Sequence, residues 1–301
     1  MLGTIAKGAA TAAVAASAGF GWGLVEANLF TVRRLEAPLL PPGGQPLKVL
    51  HVSDVHLMAD QEAKFSFVSS LAELGPDLVI NTGDNISEAR SVEVLADAWS
   101  DLLRVPGAFV FGSNDYYSPI MRNPLSYLVH GKSTGGGKRE PDLPWRELRD
   151  RFSEHGWVDL THRRETLNVN GYRIALRGTD DAHLGRDRYE DVAGPADAAA
   201  DLNVGVTHAP YLRLLDAMTS DGMDLIFAGH THGGQVCVPG YGALITNCDL
   251  DTRRVKGLST HTVGSHTAHL HVSAGVGTSP AAPYRFACRP EVTLLTLVPS
   301  S

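Results

Sequence analysis

The ten residues LKVLHVSDVH, residues 47–56, decide the fold because they join an apolar run to an abrupt polar end. The run is rich in valine and leucine, as is typical of a buried strand. Apolar residues at helical spacing follow over residues 61–74, and a second apolar run with a polar end, DLVINTGD, spans residues 77–84. A strand, a helix and a strand at this spacing predict a βαβ unit whose two strands are parallel neighbours.

The same pattern recurs three times further along the chain, in GAFVFGSND (107–115), LNVGVTH (202–208) and DLIFAGHTH (224–232). Asn170 and Gly171 separate two alternating segments, which predicts a hairpin with a two-residue turn. The stretches HLHVSAGVG (269–277) and EVTLLTLV (291–298) add late strands. We therefore expect an α/β sandwich with mixed sheets.

The composition is that of an ordinary globular protein. The 301 residues are 43% hydrophobic and 20% charged, which excludes an intrinsically disordered chain. A formal net charge of −7 and the lack of a long basic run argue against nucleic acid as a partner. The three cysteines are too few for a disulfide framework and lack the CxxC spacing of zinc–thiolate sites.

The N-terminal region differs from the rest of the chain. Residues 8–25 carry no charge, but this length is at the lower limit for crossing a bilayer, and alanine and glycine make it weakly hydrophobic. Three interpretations stay open: a membrane-associated helix, which we favour; a cleaved signal peptide with a site near residues 16–18, which implies secretion; and a soluble amphipathic helix. One lysine before the run and two arginines after it favour a cytoplasmic body.

A domain boundary is predicted by PLLPPGGQP, residues 38–46, because proline and glycine sustain neither a helix nor a central strand. We expect an N-terminal membrane-associated segment with its linker over residues 1–45, and one folded domain over residues 46–301. Within that domain, residues 117–144 contain a Gly- and charge-rich stretch without periodicity and predict a surface loop that shapes substrate access.

Five apolar runs end in residues that can bind a metal. They are Asp54 and His56; Asp84; Asn114 and Asp115; His208; and His230 and His232. Ligand sites of α/β sheets form beyond the carboxyl ends of strands, where loops converge. Imidazole nitrogens and carboxylate or amide oxygens suit Mn, Fe, Zn or Mg. The number of candidates suffices for two cations that share a carboxylate, an arrangement that clamps a phosphate and activates water.

Five motifs are similar, in type and order, to those of the calcineurin-like metallophosphoesterases: DVH (54–56), GDN (83–85), GSND (112–115), THAP (207–210) and GHTHGG (229–234). The resemblance runs from Lys48 to Thr296. The tail GVGTSPAAPYRFACRPEVTLLTL, residues 275–297, also resembles the membrane-associated branch of that superfamily, which contains lipid-acting members. The resemblance implies a four-layer α/β/β/α metallophosphoesterase sandwich with the metal site at the strand ends.

The resemblance also implies a ligand set for two divalent metal ions. The ligands are Asp54, His56 and His232 for the first ion, Asn114, His208 and His230 for the second, and Asp84 as the bridge. The predicted catalytic residues are Asp84, Asn114, Asp115 and His208. One position departs from the family motif, which is Gly-Asn-His followed by an acidic residue and whose His acts as general acid: Asp115 is assigned to the place of that His. Either another group then supplies the proton or the substrate has a good leaving group.

We therefore expect a metal-dependent phosphoric ester hydrolase with two divalent metal ions (Mn, Fe, Zn or Mg) and a metal-bridging hydroxide as nucleophile. It is expected to be a phosphodiesterase or pyrophosphatase that acts on a phospholipid or another lipid-linked phosphoester at a membrane surface. Two alternatives stay open: a soluble nucleotide or cyclic-nucleotide phosphodiesterase, and a metal-stabilised binding module with weak turnover.

The remaining histidines and one acidic motif receive structural interpretations. His51 lies inside the first strand and is predicted to be a core residue or a support of the site. Four histidines around a late strand lack a matching carboxylate and are predicted to lie at the surface: His261, His266, His269 and His271. A further three residues follow a predicted strand and could line the cleft: Asp180, Asp181 and His183.

Overall fold

A computed structural model gives the fold and describes residues 17–120 and 139–300. Residues 17–26 are helical (α1), and the other α-helices are α2 (Glu62–Ser69), α3 (Ser91–Ala98), α4 (Ser113–Tyr116), α5 (Trp145–Glu154) and α6 (Leu212–Ser220). The strands are β1 (Thr31–Leu40), β2 (Leu47–Val52), β3 (Leu78–Asn81), β4 (Gly107–Phe109), β5 (Val158–Asp159), β6 (Arg163–Val169), β7 (Tyr172–Gly178), β8 (Leu202–Val206), β9 (Leu225–Ala228), β10 (Cys237–Val238), β11 (Gly242–Ala243), β12 (Gly257–Val263), β13 (His266–Val272) and β14 (Glu291–Pro299). Most of the predicted surface loop, residues 121–138, lies outside the described residues.

Two six-stranded mixed sheets form the body. The first sheet has the order β1-β14-β2-β3-β4-β5 and the second has the order β12-β13-β9-β8-β7-β6. The predicted parallel neighbours β2 and β3 are confirmed, with Val49 opposite Leu78 and Val52 opposite Asn81. The hairpin at Asn170 is confirmed as well, because β6 and β7 pair antiparallel around it.

The sheets face each other, and helices cover both outer faces. Ile80 of the first sheet and Val204 of the second belong to one buried core between the sheets. Helices α2, α3 and α5 contribute Val68, Leu95 and Phe152 to a second core on the outer face of the first sheet. Helix α6 packs on the outer face of the second sheet. Alternating strand residues thus face two different cores, which is why these strands are apolar on both sides. The predicted four-layer α/β/β/α sandwich is confirmed.

The predicted membrane association through the N-terminal segment is wrong. Within residues 17–120 and 139–300, no helix combines the length and the apolar character needed to cross a bilayer. Helix α1 instead packs on the body: buried Glu26 accepts hydrogen bonds from the indole of Trp22 (2.8 Å) and from the backbone N–H groups of Ala287 (3.0 Å) and Cys288 (2.7 Å). This finding also removes the basis for placing the body on one side of a membrane. Residues 1–16 lie outside the described residues.

Strand β1 extends the first sheet at its edge. It runs parallel to β14, with Thr31 opposite Glu291 and Pro38 opposite Val298. Ala37 and Leu40 are buried against the sheet. Proline is tolerated there because an edge strand has unpaired N–H positions. The predicted division at residue 45 therefore cuts a strand from its sheet, and the irregular connection shrinks to residues 41–46.

Candidate metal centre

The loops that follow five parallel strands meet at one edge of the sandwich. Strands β2, β3 and β4 of the first sheet and β8 and β9 of the second each end two to five residues before a predicted ligand. Parallel strands direct their carboxyl ends to the same edge, and the two facing sheets bring these ends together. The chain thus carries its polar side chains from two separate sheets into one buried cluster.

An unusual backbone conformation accompanies the cluster. Five of the seven predicted ligands have positive φ: Asp54 (50°), His56 (45°), Asp84 (56°), His230 (69°) and His232 (49°). This left-handed region is uncommon for residues other than glycine, although Asp and His enter it more often than most. Strained backbone of this kind persists only where the surrounding structure fixes it, and it concentrates at functional sites.

A first group joins Asp54, His56 and His232. One nitrogen or oxygen of each side chain lies within 4.8 Å of the others. The His56 Nε2 and His232 Nε2 atoms are 3.3 Å apart, and His232 Nε2 lies 3.5 Å from Asp54 Oδ1. Asp54 and His56 come from the first sheet and His232 from the second, so the group exists only in the assembled sandwich.

A second group joins Asp54, Asp84 and His208, whose ligand atoms also lie within 4.8 Å of one another. Asp84 Oδ2 lies 3.5 Å from His208 Nε2 and 3.4 Å from His56 Nε2. A single carboxylate oxygen therefore faces imidazoles from both sheets. Gly112 makes room for this carboxylate, because a Cβ at that position would lie 2.2 Å from Asp84 Oδ1.

The orientation of His208 fits a cation in the cluster. Its Nδ1 lies 2.6 Å from the backbone oxygen of Thr82 and donates a hydrogen bond to it. Its Nε2 is buried without a hydrogen-bond partner among the described residues. A histidine whose Nδ1–H is fixed by a carbonyl presents a lone pair at Nε2, which is the arrangement of metal-ligating histidines.

Asn114 and His230 lie beside these groups. The side-chain amide of Asn114 donates to Asp84 Oδ2 (2.7 Å), and its backbone N–H donates to Asp84 Oδ1 (2.7 Å). The His230 ring centroid is 5.2 Å from that of His208, and its Nε2 donates to the backbone oxygen of Asn247 (3.2 Å). All seven predicted ligands are thus brought to one place. Five of them belong to the two groups whose ligand atoms lie within 4.8 Å of one another: Asp54, His56, Asp84, His208 and His232.

Asp115 occupies a different environment. Its buried carboxylate accepts hydrogen bonds from the backbone N–H groups of Asn85 (2.7 Å), Asp84 (2.8 Å) and Gly112 (2.9 Å). Burial and the nearby Asp84 raise its pKa to about 7, while these three N–H groups lower it. N–H donors thus face both oxygens and fix the position of the carboxylate. The carboxylate ties the β3 loop to the β4 loop.

Electrostatics of the cluster also favour a cation. Burial, followed by the charge of Asp84, raises the pKa of Asp54 to about 6, although His208 opposes the shift. Burial alone would lower the pKa of His208, but the carboxylates of Asp84, Asp181 and Asp54 raise it to about 9. Buried carboxylates are costly unless opposite charge compensates them. The donor set, oxygens and imidazoles without thiolate, fits a divalent cation.

Several residues of the site carry no signal in the sequence. The buried Arg285 guanidinium donates to the backbone oxygens of Gly277 (2.6 Å), Ala274 (2.7 Å) and His232 (3.3 Å), and so supports the loop behind His232. Buried Lys64 donates to the His56 backbone oxygen (3.1 Å), and burial lowers its pKa to about 7. A lone basic residue in a helix or tail gives no indication that it turns inward.

Two of the suggested cleft residues border the cluster. Asp181 is buried, and burial followed by the charge of Asp84 raises its pKa to about 7, against the effect of His208. The His183 ring centroid lies 4.5 Å from that of His230. The predicted surface positions of His261 and His271, in contrast, are wrong. His261 is buried, and the His271 side chain is fully buried between the sheets.

Comparison with known proteins agrees with this geometry. The sequence model of the family described as "Calcineurin-like phosphoesterase" matches residues 47–234. The chain belongs to the calcineurin-like phosphoesterase family. The superfamily predicted from the motifs is confirmed, and so is the prediction of a metal-dependent phosphoester hydrolase.

Relatives of this phosphoesterase match over nearly the whole chain. "Phosphodiesterase YaeI" of Escherichia coli (strain K12) is 26% identical over 300 residues, which cover 96% of this chain and 97% of the relative. "Uncharacterized metallophosphoesterase YkuE" of Bacillus subtilis (strain 168) is 27% identical over 309 residues, which cover 99% and 94%. Among solved structures, a 5'-nucleotidase precursor from Thermus thermophilus superposes with a TM-score of 0.46 at 13% identity, covering 84% of this chain and 55% of that one.

Proposed function

We propose that this phosphoesterase is a phosphodiesterase that holds two divalent cations between its sheets. The observation that carries the proposal is the position of Asp84 Oδ2, within 3.5 Å of imidazole nitrogens from both sheets. A carboxylate placed in this way can bridge two cations. The first cation is assigned to Asp54, His56 and His232, and the second to Asn114, His208 and His230, with Asp84 between them. The name of the relative YaeI supports diester cleavage.

The protein's own residues would hold and orient these cations. When bound, two divalent cations lower the pKa of water and draw negative charge from the phosphoryl oxygens. The Thr82 carbonyl keeps His208 in the tautomer that presents Nε2. The Gly277 carbonyl lies 3.1 Å from His232 Nδ1 and the Arg285 guanidinium lies 3.3 Å from the same nitrogen, so both contacts orient the His232 ring. Mixed oxygen and imidazole donors favour manganese or iron, with zinc and magnesium as the other candidates.

The placement of Asp115 at the position of the family's catalytic histidine is replaced in this proposal. Counted from Gly112, the sequence Gly-Ser-Asn-Asp aligns with Gly-Asn-His-acidic, so Ser113 takes the place of the asparagine, Asn114 that of the histidine and Asp115 that of the acidic residue. Asn114 stays the proposed ligand because its side-chain amide contacts Asp84 Oδ2 (2.7 Å). The three backbone hydrogen bonds of Asp115 support this alignment. Neither a serine nor an amide protonates a leaving group at neutral pH. The proposed substrates therefore have leaving groups that need little protonation, such as aryl or anhydride phosphates.

Exposed apolar side chains near the loop that carries His232 suggest that the substrate has an apolar part beside its phosphoester. Four exposed apolar side chains follow His232 within twelve residues: Val236, Val238, Tyr241 and Leu244. Val238 lies in the strand pair β10–β11 and the other three flank it. The pair lies beside the loop that carries His232, because Gly234 of that loop packs on Ala243 of β11. Exposed apolar clusters of this kind commonly mark ligand or partner sites. We propose a phosphodiester or pyrophosphate that carries an apolar chain.

Turnover by the full-length protein tests the phosphodiesterase proposal. We expect Mn²⁺-dependent hydrolysis of bis-p-nitrophenyl phosphate that exceeds hydrolysis of p-nitrophenyl phosphate, and loss of this activity in His232→Ala. The exposed histidine at the end of α5 offers the matched control, His155→Ala, which should keep wild-type turnover. Absence of cleavage of either compound by protein that has bound Mn²⁺ would favour the binding module instead.

Substrate analogues of graded chain length test the apolar half. We expect kcat/KM for aryl phosphodiesters to rise with the length of an alkyl substituent. Tyr241→Ser should remove this dependence and leave the shortest diester unaffected, because Tyr241 is exposed and is not one of the proposed ligands. A chain-length profile that is flat in the wild type would count against the apolar substituent but not against the phosphodiesterase.

A further inference from the structure

Two histidines meet in the interior of the sandwich, away from the candidate ligands. His51 lies on β2 of the first sheet and His271 lies on β13 of the second. Both side chains are fully buried. Their Nδ1 atoms are 2.7 Å apart, and their rings make an edge contact with centroids 4.9 Å apart. This is a polar contact across an otherwise apolar core, so it invites a functional explanation.

The contact continues as a chain of hydrogen bonds toward the cluster. His51 Nε2 lies 2.9 Å from the Thr82 hydroxyl. The Thr82 hydroxyl donates to Ser53 Oγ (2.6 Å), and the Ser53 hydroxyl donates to Asp54 Oδ2 (2.5 Å). Four consecutive contacts therefore link His271 of the second sheet to a candidate ligand of the first.

The direction of every donor in this chain follows from its acceptor end. A carboxylate only accepts, so Ser53 must donate to Asp54, and Thr82 must donate to Ser53. The Thr82 oxygen is then left to accept from His51 Nε2–H. A neutral His51 with a proton on Nε2 must accept at Nδ1, so His271 donates from its own Nδ1–H. His271 Nε2 has no hydrogen-bond partner among the described residues, which is consistent with an unprotonated nitrogen in apolar surroundings.

The backbone is shaped to fit this chain. Gly229, directly before His230, packs on its last two hydroxyls and on the carboxylate. A Cβ at Gly229 would lie 1.9 Å from Ser53 Oγ and 2.5 Å from Asp54 Oδ2. The backbone N–H of His230 is shared between Oδ2 (3.0 Å) and Oδ1 (3.2 Å). Oδ2 thus accepts from two donors, Ser53 and His230, while Oδ1 shares the His230 N–H and faces His232 Nε2 at 3.5 Å.

We propose that His271 and His51, acting through Thr82 and Ser53, are positioning residues that orient the Asp54 carboxylate for the cations. The inference rests on the proposed two-cation site, because it assigns Asp54 as a ligand. A chain whose donors all point toward one carboxylate polarises each bond along its length. It holds Oδ2 in place and leaves Oδ1 directed at the cation position. Partners behind a ligand commonly change metal affinity by about 10- to 100-fold.

Mn²⁺ titration calorimetry on the metal-free full-length protein tests the proposal. Thr82→Val keeps the shape of the side chain and removes the hydroxyl, so we expect Mn²⁺ affinity to fall about 10-fold or more. Thr82→Ser restores the hydroxyl and should bind within about 3-fold of the wild type. Thermal unfolding of each variant verifies that it is folded. Wild-type affinity in Thr82→Val would overturn the proposal.

A double variant separates a connected chain from two independent structural effects. Within the part of the chain that the structure describes, hydrogen bonds join Thr82 to His271 only through His51. His271→Phe should therefore cost little Mn²⁺ affinity once Thr82→Val has broken the chain. Losses that multiply in the double variant would contradict the proposal. If His271→Phe does not fold, His271→Gln takes its place.

Nitrogen-15 NMR of histidine-labelled, metal-free protein gives a readout independent of catalysis. We expect the Nε2–H tautomer at His51 and the Nδ1–H tautomer at His271, assigned by loss of each signal in the corresponding Gln variant. The opposite tautomers would refute the donor order. Failure of turnover in a protein with the expected tautomers and Mn²⁺ affinities would count against the proposed function alone.

Discussion

The two sheets contribute different chemistry to the same site. Loops of the first sheet supply the oxygen donors, Asp54, Asp84 and Asn114, together with His56. Loops of the second sheet supply only imidazoles: His208, His230 and His232. The carboxylates bring negative charge and the imidazoles are neutral ligands, so neither sheet alone holds a balanced set for a cation. The site is therefore a property of the seam between the sheets, and its quality depends on how accurately the sheets pack.

Removing the edge strand of the first sheet is the most severe test of how far the site depends on the packing of the two sheets. Deletion of residues 1–45 eliminates β1, together with the buried side chains of Ala37 and Leu40, and leaves β14 as an open edge. We expect the free energy of unfolding to fall by about 5 kcal/mol, since loss of a buried leucine alone costs about 2–5 kcal/mol. Urea unfolding measures the effect.

A shorter deletion serves as its control. Protein that lacks residues 1–16 retains α1 and β1 and should unfold at the same urea concentration as the full chain. Equal stability of the two deletions would show that β1 adds nothing to the sheet.

The central carboxylate of the first sheet should give the largest effect of any single substitution. Asp84→Asn keeps the size of the side chain and removes the charge that faces both His56 and His208. We expect kcat/KM for the aryl diester to fall about 10³-fold, equivalent to about 4 kcal/mol of transition-state stabilisation. The surface change Asp101→Asn makes the same chemical replacement and should be silent. A loss of less than about 10-fold would remove Asp84 from the centre of the site.

A methyl group inserted at the seam should disturb the packing without changing any charge. Gly229→Ala places a Cβ against Ser53 and Asp54, so we expect a loss of about 2–3 kcal/mol of stability and weaker Mn²⁺ binding. Gly21→Ala lies on α1 with open space around it and should be neutral or slightly stabilising. Thermal unfolding and calorimetry compare the two. An unaffected Gly229→Ala variant would show that the seam tolerates expansion.

The smallest expected effect concerns the buried carboxyl group of Asp181, which borders the cluster between the two sheets. Folding raises the pKa of Asp181 from 3.8 to about 7, because burial and Asp84 disfavour its charge. The native state thus binds this proton more tightly than the unfolded state, and the associated stability is lost as pH rises from about 4 to about 7. Asp181→Asn has no carboxyl proton to lose, so its free energy of unfolding does not fall in this way. Relative to metal-free wild type, the metal-free variant should therefore be about 2 kcal/mol more stable at pH 8 than it is at pH 5.

The exposed substitution Asp150→Asn makes the same chemical replacement at the surface and gives the matched comparison. Urea unfolding of metal-free protein at pH 5 and pH 8 measures the difference. A pH-independent difference between Asp181→Asn and wild type would show that Asp181 is already ionised in the native protein at pH 5.

The sequence predicts the residues of the cluster better than the residues that support them. Asp54 and His208 are recognisable because an apolar strand ends abruptly before each, and strand ends are local features of the chain. His271 resembles other histidines in its strand, and only the facing of two distant sheets shows that it is buried against His51. The motif suggests that Asp115 stands in the place of the family's catalytic histidine. The contacts of its carboxylate depend instead on which backbone N–H groups surround it, and no sequence pattern reveals those.

The edge strand β1 escapes prediction for a related reason. Its sequence TVRRLEAPLL contains three charged residues and a proline, and an edge strand needs neither strict alternation nor a free N–H at each position. The uncharged run before it points to a membrane instead. Local composition therefore decides the prediction, although the pairing with β14 lies some 260 residues away in the chain.

The position of β14 has a consequence for biosynthesis. This strand follows all others in the chain, yet it lies between β1 and β2 in the first sheet. During synthesis, β1 has no neighbour in its sheet until residues 291–299 have been added, and contacts between such distant segments form slowly. The nascent chain therefore carries β1 and one edge of β2 uncovered until β14 has been synthesised. We expect this interval to be the one in which the growing polypeptide relies most on chaperones.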